Sequence, residues 1–236
     1  MKVINIIAFF IMLATNFLAN YLPINGKTTG AISEQYPNLF TPAGLTFSIW
    51  GVIYLLLLAL MLLQFRDSYH NKFKAIGWSF AISCIFNSLW ILAWHYDKPG
   101  LSVIIMLCLL LTLIFINHKL LAQGPLLIKA SFGIYLGWIS VATIANISAY
   151  LVHLNWSGWG IMPEIWTVFM ITTGMVIVML SMWRNKNPFM ALSVIWAFFG
   201  IIIRHQGMYV SIVTISIVSI ILLTGLATIM FIKRIF

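Results

Sequence analysis

The sequence predicts an all-α fold, a polytopic transmembrane helical bundle of about eight helices. Three observations predict it. The 236-residue chain is 62% hydrophobic and only 7% charged, too few charges to cover the surface of a soluble domain of this size. Its mean hydropathy is +1.05, and apolar runs near the ~20 residues that cross ~30 Å of hydrocarbon as helix recur from end to end. Its Lys and Arg residues cluster in alternate connections between those runs, as membrane topology requires.

The runs are 3–22, 44–65, 76–95, 101–118, 130–152, 161–183, 188–203 and 208–232. The first follows Lys2 and resembles a signal peptide in layout, but no clear small-x-small cleavage site lies near Ala19, so it reads as a retained helix. The second opens on Thr41-Pro42-Ala43-Gly44 and carries Trp50 about a quarter of the way in. The third holds Asn87, Trp90 and Trp94 at i, i+3 and i+7, one helical face, and the fourth is apolar throughout. In the fifth, Gly133, Gly137, Ala145 and Ala149 allow close helix approach. The sixth starts at Pro163-Glu164, where proline lacks only an orphan N–H and a carboxylate meets the positive helix end. The seventh, 188–203, reaches only ~24 Å at 1.5 Å per residue. It is kept as a span because otherwise Lys233 and Arg234 would change sides. The connections are short except 23–43, and long ordered loops tend to be functional.

The charge bias tests this division. One set of connections and ends holds Lys2, Arg66, Lys72, Lys74, Lys119, Lys129, Arg184, Lys186, Lys233 and Arg234, and the other holds Lys27, Lys98 and Arg204. That ten-to-three bias predicts a multi-pass protein of the cell membrane with both termini cytoplasmic. The formal net charge of +9 is thereby read as topology, and no nucleic-acid partner is expected. Cys84 and Cys108 lie inside apolar runs, without a disulfide framework or a CxxC metal site.

Little in the spans can carry acid–base chemistry. The four carboxylates, Glu34, Asp67, Asp97 and Glu164, all fall outside the middle of the membrane, unlike the buried ionisable groups of ion-coupled carriers. The five histidines, at 70, 95, 118, 153 and 205, sit in loops or at helix ends. No catalytic residue, metal ligand or required cofactor is expected. Glu164 and Arg204 fall at the same side of the membrane and are expected to pair there.

Neutral polar and aromatic residues remain, and their depth is informative. Asn16, Trp50, Asn87, Trp90 and Asn146 come from four helices, each five to eight residues from the same membrane side, where six residues span ~9 Å. Tyr54 lies one turn beyond Trp50, and Trp138 and Ala142 share a stripe with Asn146. Such a set suits amides bonding across helices with rings filling the bundle. It equally suits an aromatic pocket with a few polar handles. Trp78, Trp94, Trp156, Trp159, Trp166 and Trp183 lie near span ends and read mostly as an interfacial belt.

Three stretches carry a resemblance: Thr41-Pro42 through Phe47, Trp50 and Tyr54; "NSLWILAWHYDKPGLS" at 87–102; and "YLGWISVATIANISAYLVHLN" at 135–155. Their order and spacing resemble the TspO/MBR family, the translocator or tryptophan-rich sensory proteins, over residues 1–155. The family's double proline is Thr41-Pro42 here, and an aromatic expected near Gly44 is missing. Members usually have five helices, so the resemblance divides the chain into a five-helix bundle, 1–155, and three additional helices, 156–236. It implies binding of a tetrapyrrole such as protoporphyrin IX or haem, or of a sterol, in a pocket under the first loop. The matching positions are Trp50, Asn87, Trp90, Trp138, Ala142 and Asn146, joined by Asn16 and Tyr54 from depth and spacing. A ligand's carboxylates would reach toward Lys27. A sterol-like pattern, Leu63 to Tyr69 to Lys72, is of hypothesis grade. The expected partners are membrane lipid and a hydrophobic small molecule, with a homodimer allowed. Sensing or transport of that ligand is the leading function. Facilitative transport of another solute and porphyrin breakdown are the alternatives.

Overall fold

The computed structural model describes residues 1–120 and 125–235. Its described residues form ten α-helices: α1 (Lys2–Tyr21), α2 (Thr29–Glu34), α3 (Ile49–Leu63), α4 (Asp67–Ile76), α5 (Ser79–His95), α6 (Pro99–Lys119), α7 (Leu126–His153), α8 (Pro163–Asn185), α9 (Met190–His205) and α10 (Val210–Ile232). Short 3₁₀ turns lie at Ile24–Gly26, Gly44–Ser48 and Gly158–Gly160. All but α2 and α4 correspond to the eight runs read from the sequence.

Six helical stretches are long and apolar enough to cross a membrane, counting Gly44–Leu63 as one. A seventh is the pair α4–α5, bent by 66°. The bend separates the polar α4, which buries only Phe73 and Ile76, from the apolar α5. α9 is the shorter apolar helix, the sixteen-residue segment 190–205. Prolines open α6 and α8 at their first turns, with Glu164 beside the second, where the missing N–H costs no helical bond. This is a multi-pass membrane protein.

Helices α1, α5, α6, α7 and α3 close into a ring, each packed on the next and α3 returning to α1. α9 covers the outer side of α7, and α10 and α8 complete a second group around it. α7 is the shared wall. In its membrane stretch 72% of residues are buried, against 28–33% in the other five long spans. Gly137 permits this contact, because a Cβ there would strike the Met190 carbonyl and the Ser193 hydroxyl of α9.

Connections alternate between two ends. At the loop end, Asn25 reaches His95, Tyr36 meets His153, and His205 reaches Leu39. At the basic end, Lys2 lies over Phe65, Asn187 bonds Asn117 and the Lys129 carbonyl, and Phe189 meets Phe231. The ten basic residues grouped from the sequence all fall at that basic end. The Leu63–Tyr69–Lys72 pattern also lies there, across the α3–α4 turn.

Labelling checks the count of crossings. A membrane-impermeant maleimide should modify a Cys at Ser157 from one side and a Cys at Asn71 or Arg184 only from the other. All three positions are exposed. Labelling of Ser157→Cys and Arg184→Cys from the same side would refute α8 as a crossing.

Candidate functional site

The ring of five helices encloses an aromatic cluster centred on Trp50. The chain reaches it through the 3₁₀ turn Gly44–Ser48, so that α3 starts at Ile49, one residue before the indole. Trp50 stacks on Tyr54 and Trp90, with centroids 5.5 and 6.4 Å away. It meets Tyr135 and Trp138 edge-on, at 5.9 and 6.2 Å. Trp94 continues the stack beyond Trp90 at 6.3 Å. Each such pair contributes ~0.5–1.5 kcal/mol beyond its burial.

Two hollows share Trp50 as their partition. The inner one, about 50 Å³, is walled by Phe47, Trp50, Trp90, Trp94, Trp138 and Ala142, with Asn146 at its edge. Thr29, Ser33, Thr41 and Pro42 of the long connection roof it. The outer one is an open groove of about 650 Å³ between α1 and α3, lined by Asn16, Phe17, Asn20, Trp50 and Tyr54 among others. Thr29 and Phe47 belong to both. The indole nitrogens of Trp90 and Trp138 and the Tyr54 hydroxyl are buried with no hydrogen-bond partner among the described residues. Buried donors rarely lack partners, because an unmade bond costs ~1–3 kcal/mol.

The amides divide by role. Asn16 Nδ2 donates to Asn87 Oδ1 at 2.7 Å, and Asn87 Nδ2 donates to the Tyr135 hydroxyl at 2.9 Å. Asn87 is fully buried, lines neither hollow, and ties α1, α5 and α7 together. Asn146 accepts from Ser102 at 3.0 Å, joining α7 to α6 while still facing the inner cavity. The structure therefore brings Trp50, Trp90, Trp138, Ala142 and Asn146 to one cavity, and Asn16 and Tyr54 to its neighbour. Asn87 stands behind both as a brace.

The roof is fastened. His95 Nδ1 lies 3.0 Å from the Ile24 carbonyl, so it carries the hydrogen, and its Nε2 meets the Thr29 hydroxyl at 3.1 Å. Trp94 Nε1 donates to the Thr29 carbonyl at 3.3 Å. Lys27 pairs with Asp97 at 3.8 Å, both partly exposed. Partial burial, then the charge of Asp97, push the Tyr36 hydroxyl above its ordinary pKa.

Two expectations are corrected. Trp94 is not a belt residue: it is only 5% exposed because the long connection folds over the end of α5. Trp78, Trp159 and Trp183 remain exposed. Glu164 does not meet Arg204. It accepts from Ser211 at the start of α10, while Arg204 turns to the Pro42 carbonyl at 3.5 Å. Of the roof residues, the sequence marks Thr41-Pro42 only as the entry to the second run and Thr29 and Ser33 only as part of a long loop, and none of them as cavity lining. Tyr135 was quoted within a motif, but its spacing did not reveal its bond to Asn87.

The sequence model of one protein family, described as TSPO-like protein, matches residues 2–231. The chain belongs to the TSPO-like family. The match runs on through α8, α9 and α10, so in this TSPO-like protein the last three helices lie within the matched region. No curated protein and no solved structure matches the chain.

Asn87→Ala removes two interhelical bonds, each worth ~0.6 kcal/mol on average and up to ~1.7 between membrane helices. It should lower stability by ~1–3 kcal/mol, measured by denaturation in mixed micelles. Asn16→Ala should cost less. Equal stability of wild type and Asn87→Ala would remove the brace.

Proposed function

We propose that this TSPO-like protein binds a flat, hydrophobic tetrapyrrole such as protoporphyrin IX between the Trp50 cluster and the long connection, and senses or transports it. The observation that carries the reading is the pair of unpartnered indole N–H groups, Trp90 and Trp138, in the wall of an aromatic cavity. Aromatic faces suit a planar apolar ligand, and a few placed donors orient it.

Size and chemistry refine the reading. Ligand pockets measure ~300–1,000 Å³, so the inner cavity at about 50 Å³ is too small alone, and the groove at about 650 Å³ is large enough. The ligand enters the groove and reaches the indole donors when Trp50 swings aside. Neither lining includes His, Cys or Met, and tyrosine, at Tyr21 and Tyr54, is the one haem-ligand type in the groove, so binding is proposed to the tetrapyrrole ring and not through an iron ligand. The propionates point toward the roof, where Lys27 is held only by an exposed ion pair worth ~0–1 kcal/mol. The termini lie on the cytoplasmic side, from the basic bias.

Protoporphyrin titration of the purified protein, followed by porphyrin absorbance, tests this. Trp50→Ala or Trp90→Ala should weaken binding by ~1–3 kcal/mol, the worth of one large side-chain contact. Trp183→Ala, exposed at the basic end, should leave it unchanged. No saturable binding by folded protein, or equal loss in Trp183→Ala, would refute the site. Solute flux without porphyrin affinity would favour a transporter of another solute, and product formation under light and oxygen would favour porphyrin breakdown.

A further inference from the structure

We propose that α9 is a clamp that holds the second half of the cavity roof, residues 39–46, shut, with Trp196, Gly200 and His205 as its positioning residues. The long connection is secured by two different helices. Its first half is fastened to α5, through His95 and Trp94 against Ile24 and Thr29. Its second half is fastened to α9, which lies outside the ring that encloses the cavity.

The second fastening is a ladder of backbone groups. The Ala43 N–H donates to the Gly200 carbonyl at 3.1 Å. Trp196 Nε1 donates to the Thr46 carbonyl at 2.9 Å. His205 Nε2 lies 2.8 Å from the Leu39 carbonyl, so it is the donor. Arg204 approaches the Pro42 carbonyl at 3.5 Å. Irregular backbone near the membrane must find such partners, since lipid offers none. Gly200 sets the contact distance: a Cβ there would strike Thr46 and come within 3.1 Å of Pro42. Pro42 and Thr41 are roof residues of the inner cavity. The support is rigid, because α9 is packed on α7 and α10 and is buried along most of its length.

A roof with two independent fastenings can open at one half. Breaking the α9 contacts frees 39–46 while 24–29 stays on α5, and breaking the α5 contacts does the reverse. The clamp is a property of the ligand-free chain, so its test does not depend on what the cavity binds.

Hydrogen exchange read by mass spectrometry on the full-length protein in nanodiscs, without ligand, is the experiment. Trp196→Phe keeps an aromatic side chain, though a smaller one, and removes the Nε1–H donor. It should speed exchange across 39–46 about five-fold, the effect of one lost hydrogen bond, and His205→Ala should act similarly. Exchange across 24–29 should stay at the wild-type rate in both. His95→Ala should give the reversed pattern. Should His205→Ala fail to fold, Gly200→Ala, which wedges the neighbouring contact to Pro42 and Thr46 of the same roof segment, replaces it. Unchanged exchange across 39–46 in Trp196→Phe would overturn the clamp, as would equal acceleration of both halves. If protoporphyrin binds, the α9 variants should also release it faster, and an absence of binding would leave the exchange result standing.

Discussion

The bond from Asn16 to Asn87, continued from Asn87 to Tyr135, fixes the depth at which three helices meet. In lipid, apolar side chains give helices little reason to choose one sliding register over another, since the tails solvate every register alike. A buried amide with both ends engaged does choose. It sets α1, α5 and α7 at one level, so that Trp90, one turn above Asn87, stands opposite Trp50 and Trp138. The stacked rings then fill the space the amides define, and the cavity is what they leave.

The same interplay explains what could be read from the sequence. Apolar length located all eight apolar helices, six of them long enough to cross on their own, because hydrocarbon thickness acts on each run separately. Depth brought out Asn16, Trp50, Asn87, Trp90 and Asn146, since a residue's height along its own helix is a matter of counting. Rotation about the helix axis was less legible. Trp90 and Asn87 share a face of α5, yet one lines the cavity and the other is consumed by its neighbours. Only the partner's position decides that. The loop was least legible: nothing local in Thr29 or Pro42 says which helix it will rest on, and Trp94 was misjudged because its cover comes from a segment some sixty residues away.

The three helices after residue 155 change the surroundings of the ring without entering it. α7, which would face lipid on its outer side in a five-helix bundle, is instead an internal wall. Its glycines admit this outer group, with Gly133 against the Asn187 side chain and Gly137 against the Met190 carbonyl. Close packing on that side leaves α7 little freedom to shift, so change in the cavity is directed to α3, the roof and the open groove beside α1.

The two ends of the molecule differ in charge more than the total suggests. The basic end carries ten Lys and Arg and one carboxylate, Asp67, and the loop end carries three Lys and Arg with Glu34, Asp97 and Glu164. Ten less one is nine and three less three is zero, so the whole formal charge of +9 resides at one end. A membrane potential acts on that difference at ~2.3 kcal/mol per charge for each 100 mV. Across an energised membrane, negative on the basic side, an inverted molecule would lie on the order of 20 kcal/mol higher. In a membrane of that polarity the field itself holds the protein one way up.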